Sequence, residues 1–223
     1  MRESLRLYER YAEEIVEQFD LCPWARRSRR EGAVRPWVIL QESPDEFAES
    51  LLVIGALAVA SQVQVALLIY PRLRLGRLDF EHFVRRLRHA DSERHEPGEV
   101  PFAMAAFHPH AAANLQEAER LVPFIRRTPD PTIQLVRADV LEQLRSSTSS
   151  GTAFAEAGML TVAGLAREEA PGIRERIAQN NLETICRVGV STLEAAFADI
   201  ARDRSVTYAR LGEPLPSADW PSR

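Results

Sequence analysis

The sequence predicts an α/β protein: an α+β sandwich on a roughly four-stranded sheet, with helices on one face and a helical C-terminal extension. Three observations lead there. β-rich apolar runs recur at residues 34–40, 63–70, 100–107 and 132–136, and stretches of helical periodicity separate them. From Ile173 onward the regular pattern is helical only. A 223-residue chain that is 45% hydrophobic and 27% charged has the composition of a globular protein able to bury a sizeable core. A ferredoxin-like sheet is one arrangement the pattern allows, since strand order leaves no mark on the sequence.

The elements follow in order. Leu5, Tyr8, Ala12, Ile15, Val16 and Phe19 share one face of a helix over residues 3–19. A short helix over Ala25–Arg30 follows Cys22-Pro23, and Glu31-Gly32 closes it. Residues 34–40 form a first strand in which Pro36 indicates an edge or a bulge. Ser43-Pro44-Asp45-Glu46 reads as the start of a helix running to about Ser61: a capping Ser, Pro at the first position, then acids. Residues 63–70 form a second strand, ended by Pro71.

Arg72–Arg77 is a loop, Leu78 to His95 an amphipathic helix, and Glu96-Pro97-Gly98 its breaker. The third strand, 100–107, lacks polar side chains, which predicts a central position. His108-Pro109-His110 ends it. A helix over 115–126 leads to the rigid turn Thr128-Pro129-Asp130-Pro131 and a fourth strand, 132–136. Helices are expected at 138–145, 173–187 and 192–202, while 154–165 carries no clear period. One domain over 1–223 is the simplest organisation. The best linker, Ser146 to Gly151, would divide an α/β core (1–145) from a helical part (152–210).

Composition excludes several chemistries. All 28 basic residues are Arg, so there is no Schiff-base lysine for pyridoxal phosphate and no Walker-A phosphate loop. No glycine-rich Rossmann fingerprint occurs either. A net charge of −4 gives no general nucleic-acid footprint. The longest apolar stretch, residues 51–60, is too short to span a bilayer, and the charged N-terminus is unlike a signal peptide. With two cysteines, a reduced cytoplasmic setting is expected. The partner expected is a small anionic molecule, and homo-oligomerisation is compatible with the sequence.

Cys22 is the more suggestive cysteine. At the start of a helix, with Arg26, Arg27, Arg29 and Arg30 close by, its thiolate would be favoured, making it a nucleophile or a metal ligand. A buried thiol acting as a small hydrophobe is the plain alternative, and Cys186 is expected to be core. His108 closes an apolar strand, where functional groups of open α/β sheets gather. His110, two residues on, could share a metal with it, whereas His82, His89 and His95 read as helix surface. Arg127 and Arg137 lie at strand ends and suit bidentate anion binding, with a salt bridge to an acid such as Asp130 as the alternative. One of Asn180-Asn181, poor helix formers inside a helical pattern, would hydrogen-bond into a site or a loop.

These residues also carry a resemblance. Leu21-Cys22-Pro23-Trp24-Ala25, Phe107-His108-Pro109, Arg127-Thr128-Pro129-Asp130-Pro131-Thr132 with Leu135-Val136-Arg137, and Asn181 before Leu182-Glu183-Thr184-Ile185 resemble a bacterial domain-of-unknown-function family. It carries an LCP[FW]A motif near the N-terminus and an FHP motif mid-chain. Trp24, Arg126, Asp130 and Ala138 depart from that pattern, which usually has Phe, Asn, Tyr and Glu. The resemblance spans about residues 8–190 and lends no activity. It implies that Cys22, His108, Arg127, Arg137 and Asn181 belong together, and Trp24 flanks the first of them.

Three readings follow. The first is a cytoplasmic small-molecule enzyme with Cys22 as thiolate, His108 as its acid or base, and Arg127, Arg137, Asn181 and Trp24 around an anionic substrate. In the second, Cys22 ligates a haem or a transition metal, with His108 or His110 as a further ligand. The third is a non-catalytic binding module.

Overall fold

The computed structural model describes residues 1–22, 24–96, 98–111, 118–142 and 173–212. The expected linker at 146–151, the run 154–165 and the tail beyond residue 212 lie outside the described residues. Helix α1 (Arg2–Tyr11) continues into a π-helical turn, Ala12–Glu17, and α2 (Ala25–Arg30) follows. Then come β1 (Val34–Val38), α3 (Ala48–Val59), β2 (Val65–Ile69), α4 (Arg77–Ser92), β3 (Phe102–Phe107), α5 (Ala118–Ile125) and β4 (Thr132–Arg137). Helices α6 (Ile173–Val188) and α7 (Val190–Arg210) complete the described chain.

The strands form one mixed α/β sheet in the order β1-β2-β4-β3. β1 and β2 are parallel, and β4 runs antiparallel between β2 and β3. A ferredoxin-like sheet would be antiparallel throughout. β3 therefore lies at an edge, although its lack of polar side chains predicts a central strand. Only part of it is covered: Phe102, Met104 and Phe107 are buried, while Ala103 is exposed.

Alternation along the strands sorts the layers. Ala66, Leu68 and Tyr70 of β2, Ile133 and Leu135 of β4, and Phe102 and Met104 of β3 face one way. They pack against Val53, Ile54 and Leu57 of α3 and Phe80, Phe83, Val84 and Leu87 of α4. The other side of β2 is apolar too: Leu67 and Ile69 are buried. A strand apolar on both sides needs cover on both. Thus helices flank both faces, not one, with α1 lying along β1. A second core joins Leu7, Tyr11 and Ile15 to Leu121 and Phe124 of α5, Ile185 of α6, and Leu193, Phe197, Ile200 and Tyr208 of α7.

Two boundaries differ from the sequence reading. Ser43 does not cap α3: its Oγ accepts the Asp45 N–H at 3.2 Å in a local turn, and the helix begins at Ala48. α7 runs eight residues past Arg202, to Arg210, because its last turns place Tyr208 in the second core.

Arg137 closes β4 and has a structural task. Its Nε donates to Val63 O at 2.6 Å, and Nη2 donates to Leu57 O, Ala58 O and Ala60 O at 3.2, 3.0 and 2.7 Å. One guanidinium thus adds hydrogen bonds to the carbonyls at and just beyond the C-terminal end of α3. Two of these, Leu57 O and Ala60 O, also accept a backbone N–H, and a cation is favoured there by the helix dipole. Its guanidinium carbon lies 5.3 Å from the Phe102 ring centroid. Replacing it by a shorter neutral side chain removes these charge-assisted bonds. We expect Arg137→Gln to lower the unfolding free energy by about 2–3 kcal/mol, read as a shift of the urea midpoint at unchanged slope.

Candidate functional site

β1, β2 and β3 all run toward one edge of the sheet, and β4, being antiparallel, starts there. The segments meeting at that edge are Ile39–Gln41, Tyr70–Leu73, His108–Ala111 and Arg126–Pro131. In open α/β sheets this carboxyl edge is where ligands bind.

His108 follows β3 directly and is 3% exposed. Its ring faces α4, 5.9 Å from the Phe80 ring centroid. The backbone N–H of His110 donates to its Nδ1 at 3.2 Å, so the ring proton sits on Nε2, which donates to Leu75 O at 3.0 Å. Burial pushes its pKa down to about 4, with His110 and Arg77 adding to the shift. Both ring nitrogens are committed to backbone groups. His108 therefore fastens β3 to the 71–76 loop.

Arg127 stands just before the turn into β4. Its Nε donates to Pro109 O at 3.0 Å. Its guanidinium carbon lies 5.5 Å from the Phe124 ring centroid and 5.1 Å from that of Phe197. Two aromatic faces and one carbonyl thus orient the group. Burial lowers its pKa, while exposed Glu194 nearby acts the other way. Among the described residues no carboxylate is hydrogen-bonded to it. His110 is exposed at the same edge, and its pKa is lowered by burial and by the charges of Arg127 and Arg204.

Arg204 was not visible as a site residue in the sequence. Its Nε donates to Asp130 Oδ1 at 2.7 Å, Tyr208 OH donates to Oδ2 at 2.7 Å, and Ser4 Oγ lies 2.9 Å from the same phenol. Arg204 Nη2 also reaches Pro71 O at 3.4 Å. Asp130 is 1% exposed. Its ion-pair partner is Arg204, not a strand-end arginine. Phe197, Ile200, Arg204 and Tyr208 follow the i, i+3, i+7, i+11 helical stripe, which is the signal that could have found them.

Arg137 lies elsewhere, whereas Cys22 follows Leu21, which packs with Tyr11, Phe124 and Phe197 in the helix layer that mounts Arg127. Arg137 ends the strand that Arg127 precedes, and five residue steps along β4 separate the strand ends by about 17 Å. Cys22 lies beside Tyr8 and Tyr11 of α1, on the β1 side where that helix packs. His108 faces α4 across the sheet, so no Cys22–His108 pair is formed. Burial raises the Cys22 pKa, against the backbone groups of Trp24 and Ala25, which favour the anion. The neighbouring arginines turn to acids instead: Arg29 binds Glu13 and Glu17, Arg27 binds Glu31, and Arg26 lies 3.5 Å from Glu17. Cys22 is thus held as a thiol, a correction to the thiolate expected from the arginine run. Trp24 is half-buried at the head of α2. Asn181 is buried on the face of α6 that carries Ala178 and Ile185, and Cys186, expected to be core, is exposed. Asp20, just before the Cys22 segment, has φ 51°.

Among the described residues no three His, Cys, Asp or Glu side chains gather as a metal site, and no helix is long and apolar enough to cross a membrane. Residues 5–171 match the family described as protein of unknown function (DUF1415). That is well over half of the chain. The chain belongs to the DUF1415 family. Within this DUF1415 protein the match takes in the Cys22, His108, Arg127 and Arg137 segments and stops short of Asn181. No curated protein and no solved structure matches the chain.

The His108 clamp has a pH signature. In the unfolded chain the ring titrates near 6.5, but in the fold near 4, so the unfolded state takes up the proton first. The stability this ring contributes is complete above pH 6.5 and is lost as pH falls toward 4. The total is on the order of 3 kcal/mol. We expect the difference in unfolding free energy between wild type and His108→Asn to shrink across that window. A pH-independent difference would contradict the lowered pKa of the buried ring.

Proposed function

We propose that this DUF1415 protein binds a small anionic molecule at the carboxyl edge of its sheet, with Arg127 as the anchor and His110 beside it. The observation that carries the reading is the mounting of Arg127: one carbonyl and two aromatic rings fix a half-buried guanidinium whose pKa burial has already lowered. Its two terminal nitrogens remain for a planar or tetrahedral anion, the pairing for which a guanidinium fork is suited. His110 and Arg204 add positive potential from the same edge. The Phe124 and Phe197 rings screen one side from water, which strengthens any charge-assisted bond made there. His108 acts as a positioning residue, since its clamp carries His110 and Pro109, and Pro109 O in turn holds Arg127.

This reading needs no chemical step. A binding protein and an enzyme that uses the same anchor share it. A haem or metal ligated by Cys22 has less support, because His108 faces α4 on the other layer with both ring nitrogens bonded to backbone groups, and among the described residues no three ligating side chains gather.

The test is calorimetric titration with inorganic sulfate and with succinate. Sulfate keeps its charge over the pH range used, so any pH effect on its binding belongs to the protein. We expect Arg127→Gln to weaken binding at least about tenfold, the scale of one charge-assisted bidentate contact. A bound anion favours protonated His110, so sulfate affinity should rise as pH falls from 8 toward 6 and stay flat in His110→Gln. Equal affinities for wild type and Arg127→Gln would overturn the proposal.

A further inference from the structure

Helix α3 is apolar around its whole circumference. Of its 12 residues, only Glu49 and Ser50 are polar. The sheet uses one side of it, burying Ser50, Val53, Ile54 and Leu57. The other side carries Ala48, Leu52, Ala56 and Val59, with Leu52 70% and Val59 86% exposed. A surface helix is normally polar on its outer face, and one that is hydrophobic all round is normally covered on both sides.

The neighbouring strand extends the feature. Arg35 and Trp37 pair in register with Ala66 and Leu68, which face α3, so both side chains rise on that side of the sheet. Trp37 is 48% exposed. β1 is an edge strand, yet its open edge is poorly suited to another strand. Val65 N–H donates to Ala33 O, and Ile39 N–H donates to Ile69 O, so the odd-numbered residues of β1 direct their backbone groups at β2. Pro36 therefore interrupts the outward side, where it has no N–H to offer. The helix face, not the strand edge, is the available surface.

Charge along this surface says what it fits. α3 is the crossover between two parallel strands, so it runs opposite to β1. Exposed Glu49 stands at its N-terminal end, and exposed Arg35 beside its C-terminal end. Neither is ion-paired among the described residues. A surface with an acid at one end, a base at the other and an apolar stripe between is complementary to itself turned by 180°. We propose that the chain forms a two-fold homodimer through the outer face of α3. Leu52, Ala56 and Val59 would meet their counterparts, and Glu49 of each copy would face Arg35 of the other. Such an isologous contact closes at two subunits.

Sedimentation velocity of the full chain from about 1 to 100 µM tests this, a range over which a moderate dimer changes population. We expect a concentration-dependent dimer. Leu52→Glu combined with Val59→Glu should sediment as a monomer whose thermal midpoint equals that of wild type diluted until it is monomeric, since both positions are exposed. Glu49→Arg should weaken the dimer about three- to tenfold, and adding Arg35→Glu should restore it, as expected for a facing charge pair. A wild type that is monomeric throughout would overturn the proposal and assign the face to a different protein. A thermal midpoint of the Leu52→Glu, Val59→Glu variant below that of the diluted, monomeric wild type would also overturn it, assigning the cover to other residues of this chain. A dimer that survives the double substitution would overturn it as well.

Discussion

A single buried carboxylate holds the two halves of this structure in register. Asp130 sits at the turn into β4, almost wholly removed from water, and takes hydrogen bonds from Arg204 and Tyr208 of α7. A buried charge is tolerated only when paired and fully hydrogen-bonded, so α7 must dock with those two side chains in place. The same docking sets Phe197 against Arg127 and brings Arg204 near His110. Ser4 joins the network through Tyr208, which ties α1 to the same point, and Arg6 and Arg10 add pairs to Asp199 and Asp203. The aromatic wall of the proposed anion site therefore exists because the sheet carries an acid at residue 130.

The chain uses one cation type for opposite purposes at the two ends of β4. At one end Arg137 donates to four carbonyls and is spent on structure. At the other, Arg127 makes one backbone bond through Nε and rests on two rings, which fixes its plane and, among the described residues, leaves its terminal nitrogens without a carboxylate. A lysine could do neither, having no planar fork to divide between partners or to stack. His108 shows the same economy among the histidines: its ring is neutral, buried and fully bonded, and it keeps the Pro109 carbonyl where Arg127 needs it.

Much of the architecture was legible in the residues. The strand positions, the edge placement signalled by Pro36, and the helices between strands follow from apolar periodicity and breakers. Strand order did not, because it depends on β4 entering between β2 and β3, and β3 looked central only for want of polar side chains. His108, His110 and Arg127 were legible as strand-end groups. Cys22 shares the helix layer of Arg127 but not the face of His108, and Arg137 stands at the other end of β4. Motif order along a chain does not tell one face of a sheet from the other. Nor does it tell one end of a strand from the other. The arginines after Cys22 promised a thiolate, yet Glu13, Glu17 and Glu31 claim three of them, and burial decides the thiol. Arg204 and Tyr208 lay past the end expected for the last helix, so their stripe with Phe197 went unread.

The central claim is that the functional surface is the carboxyl edge carrying Arg127, not the Cys22 segment. An amide chemical-shift map recorded during a sulfate titration tests it most directly. The account predicts shifts at His108, His110, Arg126, Arg127 and Thr128 that saturate together, with Leu21, Trp24 and Ala25 unmoved. Saturable shifts centred on residues 21–30, with the 108–110 and 126–128 amides still, would contradict it.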